Sequence, residues 1–525
     1  MTAQTQIAQP APTAPNAPTG RRTAHERRWW ILMVLCLSVL IVSVDNTIVN
    51  VALPSVGRSL QASTSDLQWV VDAYTLVFAG LLLLGGHLGD RLGRRQMLQL
   101  GLGLFALTSL AASFAQSTGQ LVAGRAAMGA SAALIYPATL ALLSTTFTDR
   151  RERAGAIGIW SAVTGLAVAI GPISGGLLLE HYSWSSVLWV NVPLAAVALV
   201  AGWRLLPESR DSAPGRFDPL GAVGSIAAIG LLVWTTIEAP ANGWTSAATI
   251  GGYLGAAAAI AAFVIWEGRR SYPVLDVRLF RNPRFSAASG AVALAFFGLF
   301  GFIFLITQYF QVVRDYDTLR AGVATLPFAI VIGACSPLSI MVMHRIGTKL
   351  VVSGGLATMA AGFVVAAGSA LDSPYWGRIV VSMTLMAAGL AFVASPATEA
   401  IVGTLPPDQA GAGSAVNDTV REVGGTLGVA VVGSVMSTIY GPHVVDALTS
   451  LGVPPDAAHP AASSILSGMN VATSLPADAV GPAVAAVRDA FMDGLAAGSY
   501  VAAAACAVAA IAALAFLPAR ARSAH

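Results

Sequence analysis

The stretch "GHLGDRLGRRQMLQLGL", residues 86–102, places one carboxylate and three arginines between two long apolar runs. Its glycines allow a tight turn and a close approach of neighbouring helices. Asp90 can cap a helix end or pair with an arginine, and Arg91, Arg94 and Arg95 suit the anionic surface of a membrane leaflet. The stretch therefore predicts a short polar loop that joins two membrane-spanning helices.

The composition of the whole chain agrees with a membrane location. The chain has 525 residues, of which 55% are hydrophobic and only 10% are charged. Soluble domains carry about 25% charged residues, so this chain has too little polar surface to cover a soluble globule. A net charge of +3 gives no support for a nucleic-acid partner. The three cysteines lie in apolar runs without metal-ligand spacing, so we expect no metal site.

Apolar windows of about 20 residues, the length that crosses a bilayer, divide the chain into spans. Each span must be a helix, because an open strand in lipid leaves backbone groups unpaired. We predict an all-α integral membrane protein with fourteen transmembrane helices, at residues 29–53, 68–87, 98–116, 121–144, 155–179, 184–206, 219–237, 248–267, 286–311, 321–343, 349–370, 376–400, 413–439 and 494–517.

The segments between the spans predict the orientation. Arginines concentrate in alternate loops, which by the positive-inside rule places both termini in the cytoplasm. An alanine-rich chain with Lys349 as the only lysine suggests a bacterial source, and we expect a multi-pass protein of the bacterial cell membrane. The non-spanning segments are predicted to be a disordered N-terminus at 1–28, cytoplasmic linkers at 207–218 and 268–285, a long extracytoplasmic loop at 441–492 and a tail at 518–525.

Two internal similarities indicate a duplicated chain. "DRLGRRQMLQLGL" at 90–102 parallels "HRIGTKLVVSGGL" at 344–356, and "YPATLALL" from Tyr136 parallels "SPATEAIV" from Ser395. Both pairs occupy equivalent positions in two sets of six spans. We predict two homologous six-helix halves, residues 29–206 and 286–517, with spans 7 and 8 (219–267) inserted between them and a substrate path between the halves.

Four motifs resemble those of a known family. The loop pattern G-x-x-x-D-R-x-G-R-R resembles the signature loop of the major facilitator superfamily, with its positions at Gly86, Asp90, Arg91, Gly93, Arg94 and Arg95. "LVAGRAAMGASAAL" is similar to the fourth-helix motif of proton-coupled members, with Arg125 in its arginine position. "GLAVAIGPISGG" resembles the antiporter motif of the fifth helix, although Ala167 stands where the motif usually has glycine. "DNTIVNVALP" resembles a first-helix motif of the fourteen-helix drug:proton antiporters.

The resemblance implies proton-driven efflux by alternating access. It implies a proton gradient as the energy source, with no cofactor, and a functional monomer whose partners are protons, lipid and a small-molecule substrate. In the fifth helix it implies a gating surface between the halves, for which simple tight packing is the alternative. The motif residues concerned are Gly171, Pro172, Gly175 and Gly176.

Ionisable residues inside spans are expensive in lipid and are candidates for function. Asp45 lies about 24 Å into span 1 at 1.5 Å per residue, and we expect it to face a cavity between the halves as a proton-exchanging or cation-binding group. A static pair with a neighbouring donor is the alternative. The other candidates for coupling or substrate binding are Asn46, Asp72, Arg125, Asp418, Arg421 and Glu422.

Simpler interpretations exist for several of these candidates. Asp72 is close to the start of span 2 and is also consistent with a shallow hydrated position. Arg125 can tune a carboxylate or extend to the interface. Asp418, Arg421 and Glu422 are spaced to share a helix face, as an inner gate, a cation site or a hydrated pair.

The leading functional hypothesis is a proton-coupled exporter of small amphipathic compounds, cations among them, such as drugs or antibiotics. A transporter dedicated to one metabolite, for export or uptake, is the alternative. An enzyme is disfavoured, since the seven histidines are scattered and no nucleophile or metal constellation is present in the sequence.

Overall fold

The computed structural model describes residues 27–210, 218–271, 273–402 and 410–517. Within these ranges fourteen helices are long and apolar enough to cross a membrane, so the predicted fourteen-helix fold is confirmed. Most of the predicted N-terminus and of the first linker, and all of the tail, lie outside the described residues. The helices are α1 (Arg28–Leu60), α2 (Thr64–Leu92), α3 (Arg94–Ser113), α4 (Thr118–Thr146), α5 (Arg151–His181), α6 (Ser186–Leu205), α7 (Pro219–Asn242), α8 (Ala247–Arg269), α9 (Pro283–Val313), α10 (Thr318–Ile346), α11 (Thr348–Ala367), α12 (Tyr375–Ile401), α13 (Val416–Ser450) and α14 (Ala477–Phe516).

The internal repeat is visible in the backbone. Gly93 ends α2 with φ of 126°, and Gly347 ends α10 with φ of 91°. Both glycines stand at the same place in the two similar sequence segments. Positive φ is readily adopted only by glycine. In each half, therefore, a glycine with positive φ makes the turn between the second and the third helix.

Helices α1–α6 form one half and α9–α14 the other. The inserted helices α7 and α8 pack against each other and lie outside both halves, with α7 against α2 and α13. The indole N–H of Trp244 donates to the hydroxyl of Thr438 at 2.9 Å, and the hydroxyl of Ser434 donates to the carbonyl oxygen of Thr236 at 2.8 Å. The insert is therefore fixed to the helix that carries three of the charged candidates.

The segment predicted as a long loop is mostly helical. Helix α13 continues to Ser450 and α14 begins at Ala477, so the connection shortens to residues 451–476. Alanine, the strongest helix former, is abundant on both sides of this connection. The hydroxyl of Tyr440 donates to the carbonyl oxygen of Ser464 at 3.1 Å and ties the connection to α13. We name this end of the bundle the hairpin face and the opposite end, where α1 begins and α14 ends, the terminus face.

A charged cavity between the two halves

A cavity of about 130 Å³ lies between the halves. Its wall comes from α1, α2, α4 and α5 on one side and from α9 and α13 on the other. The lining residues are Val42, Ser43, Asn46, Thr47, Asn50, Phe78, Tyr136, Thr164, Val168, Phe296, Leu299, Phe300, Ile303, Asp418, Arg421 and Glu422. Four of the predicted site residues, Asn46, Asp418, Arg421 and Glu422, thus meet in one place.

The charged residues of α13 form one cluster because they are three and four positions apart on a helix. Nη1 of Arg421 lies 3.7 Å from Oδ1 of Asp418. Nη2 of Arg421 donates to the hydroxyl of Thr398 at 3.0 Å, and the guanidinium lies 5.1 Å from the ring centre of Phe296. Arg421 thus shares the cavity with two carboxyl groups. It pairs with Asp418, and no bond joins it to Glu422 among the described residues.

Asn46 and Glu422 line the cavity from opposite halves. Oδ1 of Asn46 and Oε2 of Glu422 are buried and have no partner among the described residues. A buried polar atom without a partner is costly. Both oxygens are therefore available to a donor group on a ligand, and the carboxyl oxygen of Glu422 is also available to a proton.

Aromatic rings form much of the remaining wall. Tyr136 lies edge-on to Phe78, with ring centres 5.9 Å apart, and edge-on to Trp160 at 5.2 Å. Phe296 and Phe300 contribute from the other half. The combination of aromatic rings and carboxyl groups suits an amphipathic cation. Local sequence patterns do not select these aromatic residues, or Thr164 and Val168, because their orientation depends on helix packing.

Asp45 faces away from this cavity, contrary to the expectation from the sequence. Its Oδ2 lies 2.5 Å from Nη1 of Arg125, and its Oδ1 accepts from the side-chain amide of Asn191 at 2.8 Å. Asp45 and Arg125 are fully buried within the first half. The guanidinium also lies 4.3 Å from the ring centre of Tyr74. In this conformation Asp45 therefore forms a static pair with a neighbouring donor, which was the alternative interpretation of the sequence.

Asp72 lies at the packed contact between α2 and α13 rather than at a hydrated helix end. It is fully buried, and neither carboxyl oxygen has a partner among the described residues. On the same helix, the amide of Gln68 donates to the carbonyl oxygen of Ala430 at 2.9 Å, and Thr75 bonds Thr426 at 2.9 Å. Asp72 is therefore an unpaired acid on the seam between the halves.

The predicted gating loop is bound within its own half. Arg94 bonds Asp90 at 2.8 Å and donates to the hydroxyl of Ser209 at 3.1 Å. Nη2 of Arg95 donates to the carbonyl oxygen of Trp203 at 2.6 Å, whereas Arg91 is exposed. Gly86 lies beside Pro137 of α4. In this conformation Arg94 and Arg95 of the loop are thus hydrogen-bonded to the end of α6 and to the segment that follows it.

The antiporter-motif residues of α5 make close contacts both within the first half and with α10 of the second half. A Cβ on Gly171 would lie 2.0 Å from Oγ1 of Thr47, and one on Gly175 would lie 2.8 Å from Ile48, so these glycines seat α5 on α1. Gly176 and Pro172 face α10 instead: a Cβ on Gly176 would lie 2.6 Å from the carbonyl oxygen of Thr318.

The contact at this crossing is reciprocal. A Cβ on Gly322 of α10 would lie 2.3 Å from the carbonyl oxygen of Pro172. The hydroxyl of Thr318 donates to the carbonyl oxygen of Gly176 at 3.0 Å. Near the same face, the amide of Gln311 donates to the carbonyl oxygen of Val51 at 2.9 Å. The halves are packed together at the hairpin face.

Two six-helix halves around a charged cavity in a fourteen-helix bundle are the architecture of a membrane transport protein. The model of the Major Facilitator Superfamily matches residues 35–429, and the chain belongs to this family. It is 36% identical to the multidrug efflux pump LfrA of Mycolicibacterium smegmatis, over 91% of this chain and 94% of that protein. It is 33% identical to the methyl viologen resistance protein SmvA of Salmonella typhimurium, over 89% of this chain and 93% of that protein.

The fold has matches among solved structures. A bacterial homologue of the human lysosomal transporter Spinster, in an inward-facing and unoccupied conformation, superposes with a TM-score of 0.66 at 15% identity and covers 97% of this chain and 100% of that one. At this identity the likeness concerns the fold.

Proposed function

We propose that the protein is a proton-coupled antiporter that exports small amphipathic compounds, cations among them, from a bacterial cell. The terminus face lies in the cytoplasm, and the monomer is the functional unit. The observation that carries the proposal is the cavity, where two carboxyl groups and one guanidinium stand among aromatic rings on the seam between the halves. The names of the relatives, a multidrug efflux pump and a methyl viologen resistance protein, support it.

In the proposed mechanism Glu422 exchanges a proton for a cationic substrate. Its free oxygen and that of Asn46 face the cavity, so a proton or a cationic group can occupy the same place. Binding of either alters the contact between α1 and α13, and hence between the halves. Arg421 holds Asp418 near the site and limits the negative charge of the empty cavity.

Asp45, Arg125 and Asp72 have supporting roles in this proposal. The ion pair of Asp45 and Arg125 fixes α1 against α4 in the conformation in which the hairpin face is closed. When the hairpin face opens, Asp45 and Arg125 separate and bond other groups. Asp72 holds a proton while it is enclosed between α2 and α13, because an ionised carboxylate without a partner is too costly there.

Reconstitution in proteoliposomes tests the function. We expect an imposed pH gradient to drive accumulation of ethidium, and addition of ethidium to release protons from the detergent-solubilised protein. Glu422→Gln is expected to abolish both signals. Glu399→Gln is the matched control, since Glu399 is an exposed glutamate near the terminus-face end of α12.

The outcomes separate the alternatives. Ethidium flux that is indifferent to the pH gradient would rule out proton coupling. Gradient-driven flux of one compound only, out of a panel of cationic and neutral compounds, would instead support a transporter dedicated to one metabolite.

A further inference from the structure

A second apolar space, separate from the central cavity, lies between the inserted helices and the two halves. Two adjoining cavities of about 410 and 360 Å³ share the lining residues Ser225, Ile229, Phe263, Leu275, Phe280 and Val423. We name this space the insert crevice. Its volume lies in the range of about 300–1,000 Å³ that ligand pockets occupy.

Helix α13 separates the insert crevice from the central cavity. Asp418, Arg421 and Glu422 face the cavity, whereas Thr419 and Val423 face the crevice. The crevice is thus lined by α2 of one half, by α9 and α13 of the other and by the insert. It therefore lies at a contact between the two halves, and this contact must rearrange when the halves move.

Two polar atoms in the crevice have no protein partner. Ser289 is 2% exposed, and neither its hydroxyl nor that of Thr419 has a hydrogen-bond partner among the described residues. Both residues line the larger cavity. Buried hydroxyl groups are normally bonded, so these two point to a ligand that carries an acceptor group within an otherwise apolar body.

Basic residues at the edge of the insert crevice nearest the terminus face indicate the charge of the ligand. The segment from the end of α8 to the start of α9 contains a one-turn helix, Val277–Arg281, in which Val277 and Phe280 line the crevice while Arg278 and Arg281 are exposed. The basic residues of this edge are Arg269, Arg270, Arg278, Arg281 and Arg284, and the nearby acidic residues are Asp218, Glu267 and Asp276.

The acidic residues are already bonded within the protein. Asp218 pairs with Arg270 at 3.3 Å, and Asp276 accepts from the backbone N–H of Arg278 at 3.0 Å. Oε2 of Glu267 accepts from the backbone N–H of Leu275 at 2.9 Å, while its Oε1 is buried without a described partner. By contrast, the side chains of Arg269 and Arg281 make no ion pair with a described residue, and Nε of Arg284 has no described partner. The edge therefore presents free positive charge.

From these observations we infer that the insert crevice binds one anionic phospholipid of the leaflet at the terminus face. Its phosphate lies at Arg281 and Arg284, an ester carbonyl accepts from Ser289, and an acyl chain fills the apolar space. A cationic export substrate fits this site poorly, because the basic edge repels it. The lipid stabilises the position of the insert against α13.

Native mass spectrometry of the purified full chain tests this inference, with dioleoyl phosphatidylglycerol and dioleoyl phosphatidylcholine as probes. We expect one phosphatidylglycerol to be retained in preference to phosphatidylcholine. Gly290 lines the crevice and has no atom within 4 Å of an added Cβ, so Gly290→Phe fills the space without a backbone clash and should abolish that retention. At roughly 1 kcal/mol per arginine, Arg281→Gln and Arg284→Gln should each lower the affinity about fivefold.

Matched variants control for folding and for general charge. Gly251→Phe adds the same ring to α8 at a position with no atom within 4 Å, and Arg345→Gln removes an exposed arginine from a different loop. Both should retain phosphatidylglycerol as the wild type does. Equal retention of the two lipids, or unchanged retention in Gly290→Phe, would overturn the inference. So would a loss of ethidium binding, rather than of lipid, in Gly290→Phe.

Discussion

Asp45 and Asn46 are adjacent in the chain but serve different parts of the molecule. Asp45 points into the first half and pairs with Arg125, whereas Asn46 lines the cavity that Glu422 of the other half also lines. Successive residues of a helix are rotated by about 100°, so one turn of α1 contributes both to a buried ion pair and to the wall of the cavity. A small rotation of α1 therefore changes both contacts at once.

The buried pair of Asp45 and Arg125 yields a prediction about stability. Arg125→Met leaves a buried carboxylate without its cation, and loss of one partner of a buried pair costs about 3–5 kcal/mol. We expect a clearly lower melting temperature of the purified protein. The double variant Asp45→Asn, Arg125→Met should recover most of the loss but not transport. A double variant no more stable than Arg125→Met would contradict this account; Arg58→Gln, an exposed site on the same helix as Asp45, is the control.

The crossing of Gly176 and Gly322 yields a prediction about conformation. A methyl group on Gly176 meets the backbone of α10, so Gly176→Ala should open the hairpin face. The measurement is labelling of a single cysteine at Asn50 by an impermeant reagent from each side of the membrane, in a background without Cys36, Cys335 and Cys506.

Labelling from the hairpin side should rise in Gly176→Ala. The control is Gly165→Ala on the same helix, where an added Cβ has no atom within 4 Å. If both variants label alike, the contact does not hold the face closed.

Gly93 yields a prediction about the gating loop. Its φ of 126° is unfavourable for other residues, and an added Cβ would lie 2.7 Å from a carboxyl oxygen of Glu208. Gly93→Ala should therefore lower the free energy of unfolding by about 1–3 kcal/mol. Gly103→Ala in α3, where an added Cβ is in open space, should be neutral or stabilising. Thermal unfolding monitored by tryptophan fluorescence compares the two, and similar melting temperatures would refute the argument.

Asp72 yields a prediction that separates stability from transport. Because its carboxyl group has no described partner, Asp72→Asn removes no bond, and the melting temperature should stay equal to that of the wild type or rise. Gradient-driven ethidium transport should fall at least tenfold, if the acid cycles between the protonated and ionised forms. Gln68→Leu, which removes two bonds to the backbone of α13, should show the opposite pattern, a lower melting temperature. Full transport by Asp72→Asn would remove Asp72 from the proposed mechanism.

The sequence predicted the architecture more fully than the site. The fourteen apolar windows follow from local patterns, and the described residues contain fourteen helices of that kind. The positive φ of both Gly93 and Gly347 agrees with the internal sequence similarity. The prediction made the loop at 441–492 too long, because hydropathy indicates which residues lie in the bilayer and not where a helix ends. The partner of Asp45 could not be predicted, because rotation of α1 about its axis is set by packing against α4, α5 and α6.

The site residues show the same limit. Helical spacing was sufficient to bring Asp418, Arg421 and Glu422 together, since all three lie on one helix. The opposing wall is different: Asn46, Phe78 and Tyr136 come from three helices, and only tertiary packing selects them. A shallow hydrated position was one interpretation of Asp72 from its place in the chain, but its side chain is fully buried.

Helix α13 has a further consequence for how the molecule works. It is continuous from the charged cluster to the hairpin connection and, at 35 residues, is about 50 Å long. Near one end it carries Glu422 and near the other Tyr440, which is tied to Ser464. Such a rod acts as a lever arm: a tilt of a few degrees that barely displaces its middle moves both ends in opposite directions. In the proposed mechanism, a tilt of α13 that follows protonation of Glu422 therefore also displaces Tyr440 at the hairpin face.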